Sequence, residues 1–160
     1  MESLGDSMRA AMGISSPPPA PLPTAKDIMV SKGLITFRPQ QRISEAIKIM
    51  VQREISGAPV VDEQMNLLGV LSESRSSPRL FDCLRVIAAG AYDGEPVDGN
   101  RTVEELMSTN VTTIGPSLNL YGIAHTFITR GVRRLPVVEG RKVLGQLSRL
   151  DVLKAVQSLI

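Results

Sequence analysis

The stretch Leu34 to Ser72, LITFRPQQRISEAIKIMVQREISGAPVVDEQMNLLGVLS, recurs in altered form as Val111 to Ser148, VTTIGPSLNLYGIAHTFITRGVRRLPVVEGRKVLGQLS. Thr36 meets Thr113, Pro39 meets Pro116, Arg53 meets Arg130 and Pro59 meets Pro136, each 77 positions on. Val60-Val61 and Val137-Val138 keep that offset, and Gly69 pairs with Gly145 at 76, after a turn one residue shorter. Upstream, Asp27-Ile28-Met29 resembles Glu105-Leu106-Met107. So many agreements in one order mark an internal duplication, the first thing to settle in an unknown sequence.

Each copy follows the same local pattern. A short extended piece ends at a proline (Ile35 to Pro39; Thr112 to Pro116), and an apolar helical period follows: Ile43, Ala46, Ile47 and Met50, then Leu120, Ile123, Ala124 and Phe127. Next come two short strands joined by a polar turn, Ala58 to Asp62 with Leu67 to Leu71, and Leu135 to Val138 with Val143 to Leu147. A second helix closes each copy, and in the last one Leu150, Leu153, Val156 and Ile160 form an apolar stripe. A β-α-β-β-α unit of this size buries too little surface alone, so the two are expected to share one core in an α/β (α+β) fold with a pseudo-two-fold axis.

Outside the repeats, Ser15 to Pro23 (SSPPPAPLP) cannot sustain a helix or a central strand, because each proline removes a donor. Residues 1–24 read as a flexible Pro-rich tail, with a docking arm on a partner subunit as the alternative. The first repeat is set at 25–90, a Gly-, Asp- and Pro-rich linker at 91–102 and the second repeat at 103–160.

Composition excludes several functions. With 18 basic against 16 acidic side chains the formal charge is +2, so attraction for anions must come from local placement of Arg and Lys; no nucleic-acid-binding field is implied. Aromatics are 3% with no Trp, which removes base-stacking platforms. One cysteine, Cys83, and one histidine, His125, allow no internal disulfide, almost no metal-ligand set and no Ser-His-Asp or Cys-His arrangement, so no catalytic or metal site is expected. No run approaches the ~18 apolar residues of a membrane span, and Met1 to Ala11 has no signal-peptide pattern; a cytoplasmic location is expected.

The ordered landmarks of residues 25–160 resemble the cystathionine-β-synthase (CBS) repeat, whose copies follow D-h-M, T-h-x-P, A-h-x-h-M, h-x-x-h-P-V-h-D and G-h-h-S-x-x-D, where h is apolar. The resemblance implies a stand-alone tandem pair, or Bateman module, that binds AMP, ADP, ATP or another adenosyl ligand between the copies, with S-adenosylmethionine and NAD as further possibilities. It also implies a homodimer, a separate regulated protein as partner, and no enzymatic activity.

On that resemblance the second copy, Gly145-Gln146-Leu147-Ser148-Arg149-Leu150-Asp151, fits the last element in full. Asp151 can then accept hydrogen bonds from both ribose hydroxyls, and Ser148 can donate to a phosphate at the start of the closing helix. The same Ser-x-x-Asp is also a capping box that satisfies helix amides, and the two roles are compatible. Arg133 is assigned to this second-motif cleft with Ile55, Ser56, Gly57, Lys32 and Leu34. If neighbouring side chains point opposite ways, Arg134 serves the other, first-motif cleft, with Ser72, Asp82, Val132, Val111 and Thr112. Gly57 and Ala58 either let a purine approach the backbone or meet a turn requirement. In the first copy the expected acid is Arg75. Either it replaces the acid, or 75–81 is an inserted loop after which the chain resumes at Asp82; Pro78 and the serines before it favour the insertion. A structural oligomerisation module with degenerate pockets is the rival function.

Overall fold

The computed structural model describes residues 21–72 and 100–160. Along the chain run α1 (Ala25–Ile28), α2 (Ile43–Gln52), β1 (Gly57–Val61), β2 (Leu67–Ser72), α3 (Val103–Leu106), α4 (Leu120–Arg130), β3 (Arg134–Glu139), β4 (Lys142–Ser148) and α5 (Arg149–Gln157). The helical period places α2 and α4 correctly: α2 buries Ile43, Ala46 and Met50, and α4 buries Leu120, Ile123 and Phe127. The Asn119 carboxamide caps α4 by accepting from the Gly122 amide at 3.1 Å. After α4 the chain turns through Gly131 at φ 62°, a left-handed conformation that glycine adopts without cost; its counterpart after α2 is Glu54, at φ 54°.

The strands pair as two antiparallel hairpins, β1 with β2 and β3 with β4, each with one register shift at the valine pair. The extended pieces before the prolines are shorter than expected: only Phe37 bridges Val60, and Ile114 bridges Val137, both in parallel. These bridges explain the tolerated prolines. The Pro59 carbonyl accepts from the Phe37 amide at 2.9 Å and the Pro136 carbonyl from the Ile114 amide at 3.1 Å, so the missing proline donor faces the one-residue bridge and spares the hairpin ladder.

The two lead-in segments cross over. The α3 segment, which opens the second repeat, docks on the first: Val103 N donates to Gln41 O, Glu104 N to Pro39 O, and Ile43 N to Arg101 O (2.9, 3.0 and 2.7 Å). The α1 segment docks on the second repeat through the same three bonds, Ala25 N to Leu118 O, Lys26 N to Pro116 O and Leu120 N to Pro23 O (2.8, 2.9 and 2.9 Å). Each segment then pairs with the outer hairpin strand of its host, Ser108 with Val70 and Val30 with Gln146. The repeated glycines make room for this. A Cβ at Gly69 would lie 2.7 Å from Ser108 O and 2.8 Å from Met107 Sδ, and one at Gly145 would lie 2.8 Å from Val30 O and 2.7 Å from Met29 Sδ. The methionine of each D-h-M-like motif thus packs over the glycine of the other repeat.

Burial follows the exchange. One apolar cluster holds Phe37, Ile43, Ala46, Met50, Ala58, Val60 and Leu71 with Val103 and Leu106 from α3; the other holds Ile114, Leu120, Ile123, Phe127, Leu135, Val137, Leu147, Val152 and Ala155 with Ala25 from α1. Around the pseudo-axis the hairpin turns join the halves, Leu67 N to Arg141 O (2.8 Å) and Val143 N to Met65 O (2.9 Å). The stripe Leu150, Leu153, Val156 and Ile160 faces outward, and α5 meets the core through Val152 and Ala155 instead. The smaller pair lets the helix lie close, and Tyr121 and Ile128 on α4 are large apolar residues exposed as well.

Candidate functional site

Between the repeats lies an open cleft whose walls are Val70 and Ser72 from the end of β2, Ser108, Asn110, Val111 and Thr112 from the stretch after α3, and Val132, Arg133, Arg134 and Pro136 at the start of β3. Each wall is placed by a feature already described. Val70 and Ser108 are held face to face by the crossed segment, with Val70 N donating to Ser108 O and Ser108 N to Val70 O, both at 2.9 Å. Pro136 is fixed by the Ile114 bridge, and Ser72, 4% exposed, ends the buried face of β2. Among the described residues of this lining Arg133 and Arg134 are the only charged side chains, and the others offer hydroxyls, a carboxamide, a proline and apolar valines. Guanidinium groups of this kind suit an anionic partner, and valine side chains an apolar one.

The residues assigned to the first-motif cleft, Ser72, Val111, Thr112, Val132 and Arg134, are all on this wall; Asp82, Cys83 and the 75–81 loop lie outside the described residues. Arg133, expected in the second-motif cleft, is on the same wall as Arg134. The alternation of side chains holds only within a strand, and β3 begins at Arg134 after a bend at Arg133. Val70, Ser108 and Pro136 were not among the sequence candidates. Ser108 comes to the wall beside Val70 through the crossed segment, and the repeat alignment gives no sign of which copy that segment joins.

The second-motif residues form three smaller groups. At α5, Ser148 and Asp151 make a complete capping box: Asp151 Oδ2 accepts from Ser148 N at 2.7 Å and from Ser148 Oγ at 2.9 Å, and Ser148 Oγ accepts from Asp151 N at 3.3 Å. All of the carboxylate's bonds use Oδ2, so Oδ1 accepts from no described group. Thr24 and Asp27 repeat this arrangement at α1, with Asp27 Oδ2 accepting from Thr24 N at 2.8 Å and Thr24 Oγ1 at 3.0 Å. The Thr24 backbone amide, helped by its hydroxyl, holds the Asp27 carboxyl below the usual carboxylate range.

Ser56 and Gly57 make the second group. The Arg134 guanidinium donates through Nη2 to Ser56 Oγ, and its Nη1 lies 2.7 Å from where a Cβ at Gly57 would stand. Gly57 is buried and is not among the glycines with positive φ. Its lack of a side chain therefore meets a close approach, by Arg134 and by Leu71 O, and not a turn. Ile55 packs half-buried against the first-repeat core. In the third group, Lys32 is exposed in a turn and Leu34 half-buried after it, following the Val30–Gln146 bridge. Gln146, the counterpart of Val70, has a buried Oε1 without a hydrogen-bond donor.

Among the described residues, no three His, Cys, Asp or Glu side chains are placed to hold a metal ion, and no helix is long and apolar enough to cross a membrane.

Two hairpin repeats that exchange their lead-in segments around a shared cleft define a paired-repeat module. The family model of the CBS domain matches residues 25–75 and 103–158, and the chain belongs to that family. It is 31% identical over 129 residues to the CBS domain-containing protein YhcV of Bacillus subtilis, covering 81% of this chain and 82% of YhcV. The crystal structure of CBSX2 in complex with AMP, a protein of Arabidopsis thaliana, superposes with a TM-score of 0.70 at 25% identity, over 86% of this chain and 98% of that one. The CBS domain pair of MJ0100, in complex with 5′-methylthioadenosine and S-adenosyl-L-methionine, gives 0.64 at 26% identity, over 88% of this chain and all (100%) of that one. The chain spans less than half the length of other curated relatives, 42% and 31% of two proteins of Methanocaldococcus jannaschii.

Proposed function

We propose that this chain is a regulatory module that senses an adenine nucleotide, or another adenosyl ligand, in the clefts between its CBS repeats and passes occupancy to a partner protein. The observation that carries this is the cleft bearing Arg133 and Arg134 beside Ser72, Asn110 and Thr112, with Val70, Val111, Val132 and Pro136 as its apolar surface. A phosphate would meet the guanidinium pair and a base the valines. Ligand-bound neighbours support the ligand class: CBSX2 with AMP, and MJ0100 with 5′-methylthioadenosine and S-adenosyl-L-methionine.

We also propose a homodimer formed through the outward face of α4 and α5. Leu153 on α5 is 64% exposed, and Leu150 on α5 with Tyr121 and Ile128 on α4 is exposed too. Large apolar side chains gathered on one face of a protein mark an interaction surface. Leu153→Glu should turn the sedimentation behaviour from dimer to monomer.

Calorimetric titration with AMP, ADP, ATP, S-adenosylmethionine, NAD and adenosine tests the ligand. Binding of the phosphorylated ligands that weakens at least tenfold in the Arg133→Ala/Arg134→Ala double variant is the expected result. Absence of binding by all six in the folded dimer would favour the second function, an oligomerisation module. That alternative draws on two observations, the exposed apolar face and the Asp151 carboxylate already engaged in capping.

A further inference from the structure

We infer that the cavity beside Arg38 binds a free α-amino acid, with its carboxylate on the Arg38 guanidinium and its ammonium group on Glu63. This site shares no residue with the cleft between the repeats and does not depend on the function proposed there.

The cavity is open, with a volume of about 410 Å³, and lies between Arg38 and Pro39, ahead of α2, and Asp62, Glu63 and Leu68 around the β1–β2 turn. Sites for small molecules commonly span roughly 300–1,000 Å³. Both walls are fixed by backbone. On the first, Phe37 N donates to Pro59 O and Val61 N to Phe37 O, both at 2.9 Å, and Arg38 N donates to Gln41 Oε1 at 2.7 Å. On the second, Asp62 Oδ1 accepts from Gln64 N at 2.9 Å and Asn66 N at 2.8 Å, while Oδ2 accepts from Asn66 Nδ2 at 3.0 Å.

The Arg38 guanidinium is not held in this way. Its Nη1 is buried and has no hydrogen-bond partner, and among the described residues no ion pair joins Arg38 to Asp62 or Glu63. Burying a charged donor without an acceptor opposes folding. The duplicated frame does not require it: Gly115 stands in the place of Arg38, after the same one-residue bridge, and Gly140 in the place of Glu63. An arginine that the frame does not need, and whose buried nitrogen meets no acceptor, is accounted for by an acceptor from outside.

The other charges select that acceptor. The lining carries one guanidinium and two carboxylates, and the Asn66 backbone amide holds the Asp62 carboxyl below the usual carboxylate range, so its charge is fixed. A phosphate drawn to Arg38 would meet two negative side chains, whereas a zwitterion turns them to use. A carboxylate suits the planar guanidinium fork. Both Asp62 oxygens already serve the turn, which leaves the exposed Glu63 to receive the ammonium group. Leu68 and Pro39 offer apolar surface to the amino-acid side chain.

The full chain is titrated with each protein amino acid in turn while the amide signals of Gln40, Gln64 and Leu68, all on the lining, are followed by NMR. Saturable shifts with at least one amino acid are expected. The amide of that amino acid, which lacks the carboxylate, should give none, and its N-acetyl form should bind more weakly. Arg38→Ala should weaken the amino acid by about tenfold or more, as for a lost hydrogen bond to a charged group. Glu63→Gln, at an exposed position, should weaken the amino acid and leave the N-acetyl form unchanged. The absence of saturable shifts with every amino acid, binding unaltered by Glu63→Gln, or inorganic phosphate moving the same signals at equal or lower concentration overturns the inference.

Discussion

The hairpins of the two repeats share a register, yet β1 is led in by Ile55, Ser56 and Gly57 and β3 by Val132, Arg133 and Arg134. The backbone frame is thus symmetric and the chemistry is not. The lead-in segments diverge in the same way. The α3 segment is held by two fully buried side chains, Val103 and Leu106, each contributing roughly 1.5–3 kcal/mol of transfer free energy. The α1 segment buries only Ala25 fully and keeps Ile28 and Met29 half-exposed, so its three backbone bonds, at about 0.5–1.5 kcal/mol each, carry a larger share of its docking. The two segments thus share one set of backbone bonds and differ in how much apolar surface each buries.

The largest effect should come from attacking that difference directly. Leu106→Ala should cost about 2–5 kcal/mol in urea unfolding, as for other buried leucines, while Ile28→Ala, its counterpart, should cost clearly less. Equal losses would show that α1 is as tightly packed as α3. Next, Asp151→Ala should weaken nucleotide binding at the second-motif cleft by about 1.5–3 kcal/mol, the range for hydrogen bonds to a charged group. Asp27→Ala removes a capping box of the same geometry from α1 and serves as the control: it should leave affinity unchanged. A loss of affinity common to both variants would reduce Asp151 to a helix cap.

A smaller effect is expected at the helix ends. Glu54 holds the left-handed conformation that Gly131 takes in the other repeat, and Glu54→Gly should raise the thermal midpoint, through a gain of up to about 1 kcal/mol. The smallest concerns acid. The folded-state pKa of Asp27 is depressed, so its contribution is present above the unfolded pKa of ~3.9 and is lost as pH falls through the lower folded value. Amide exchange at α1 should therefore quicken below about pH 4 before that at α3, and Asp27→Asn should remove the pH dependence without moving α3.

Much of the fold was legible because duplication and period speak through residue type alone. The helices over Ile43 and Leu120, both hairpins and the paired prolines lie where alternation and spacing put them. Sequence pattern could not tell which repeat each lead-in segment completes, because Asp27-Ile28-Met29 and Glu105-Leu106-Met107 look alike whether they dock at home or across. The cleft suffered from the same blindness. Ser72, Val111, Thr112 and Val132 were readable as counterparts of family positions, but Ser108 reaches the wall only through the crossing. Arg133 lines the same wall as Arg134 because strand alternation does not extend past the start of β3, and the outward turn of Leu150 and Leu153 shows that an apolar helical stripe names a face without naming what covers it.

The crossing has a consequence for how the polypeptide is made. As the chain leaves the ribosome, α1 emerges first, yet its seat is not finished until Pro116, Leu118 and Gln146 have followed. The first repeat, in turn, waits for Val103 and Leu106 to fill its core. Contacts so far apart in sequence slow folding, since the intervening loop must close before they form. A polypeptide severed between residues 72 and 100 would yield two fragments, each holding the plug that fits the other's gap. Alone, each fragment leaves a socket open; mixed, they can only recover the native fold as a pair.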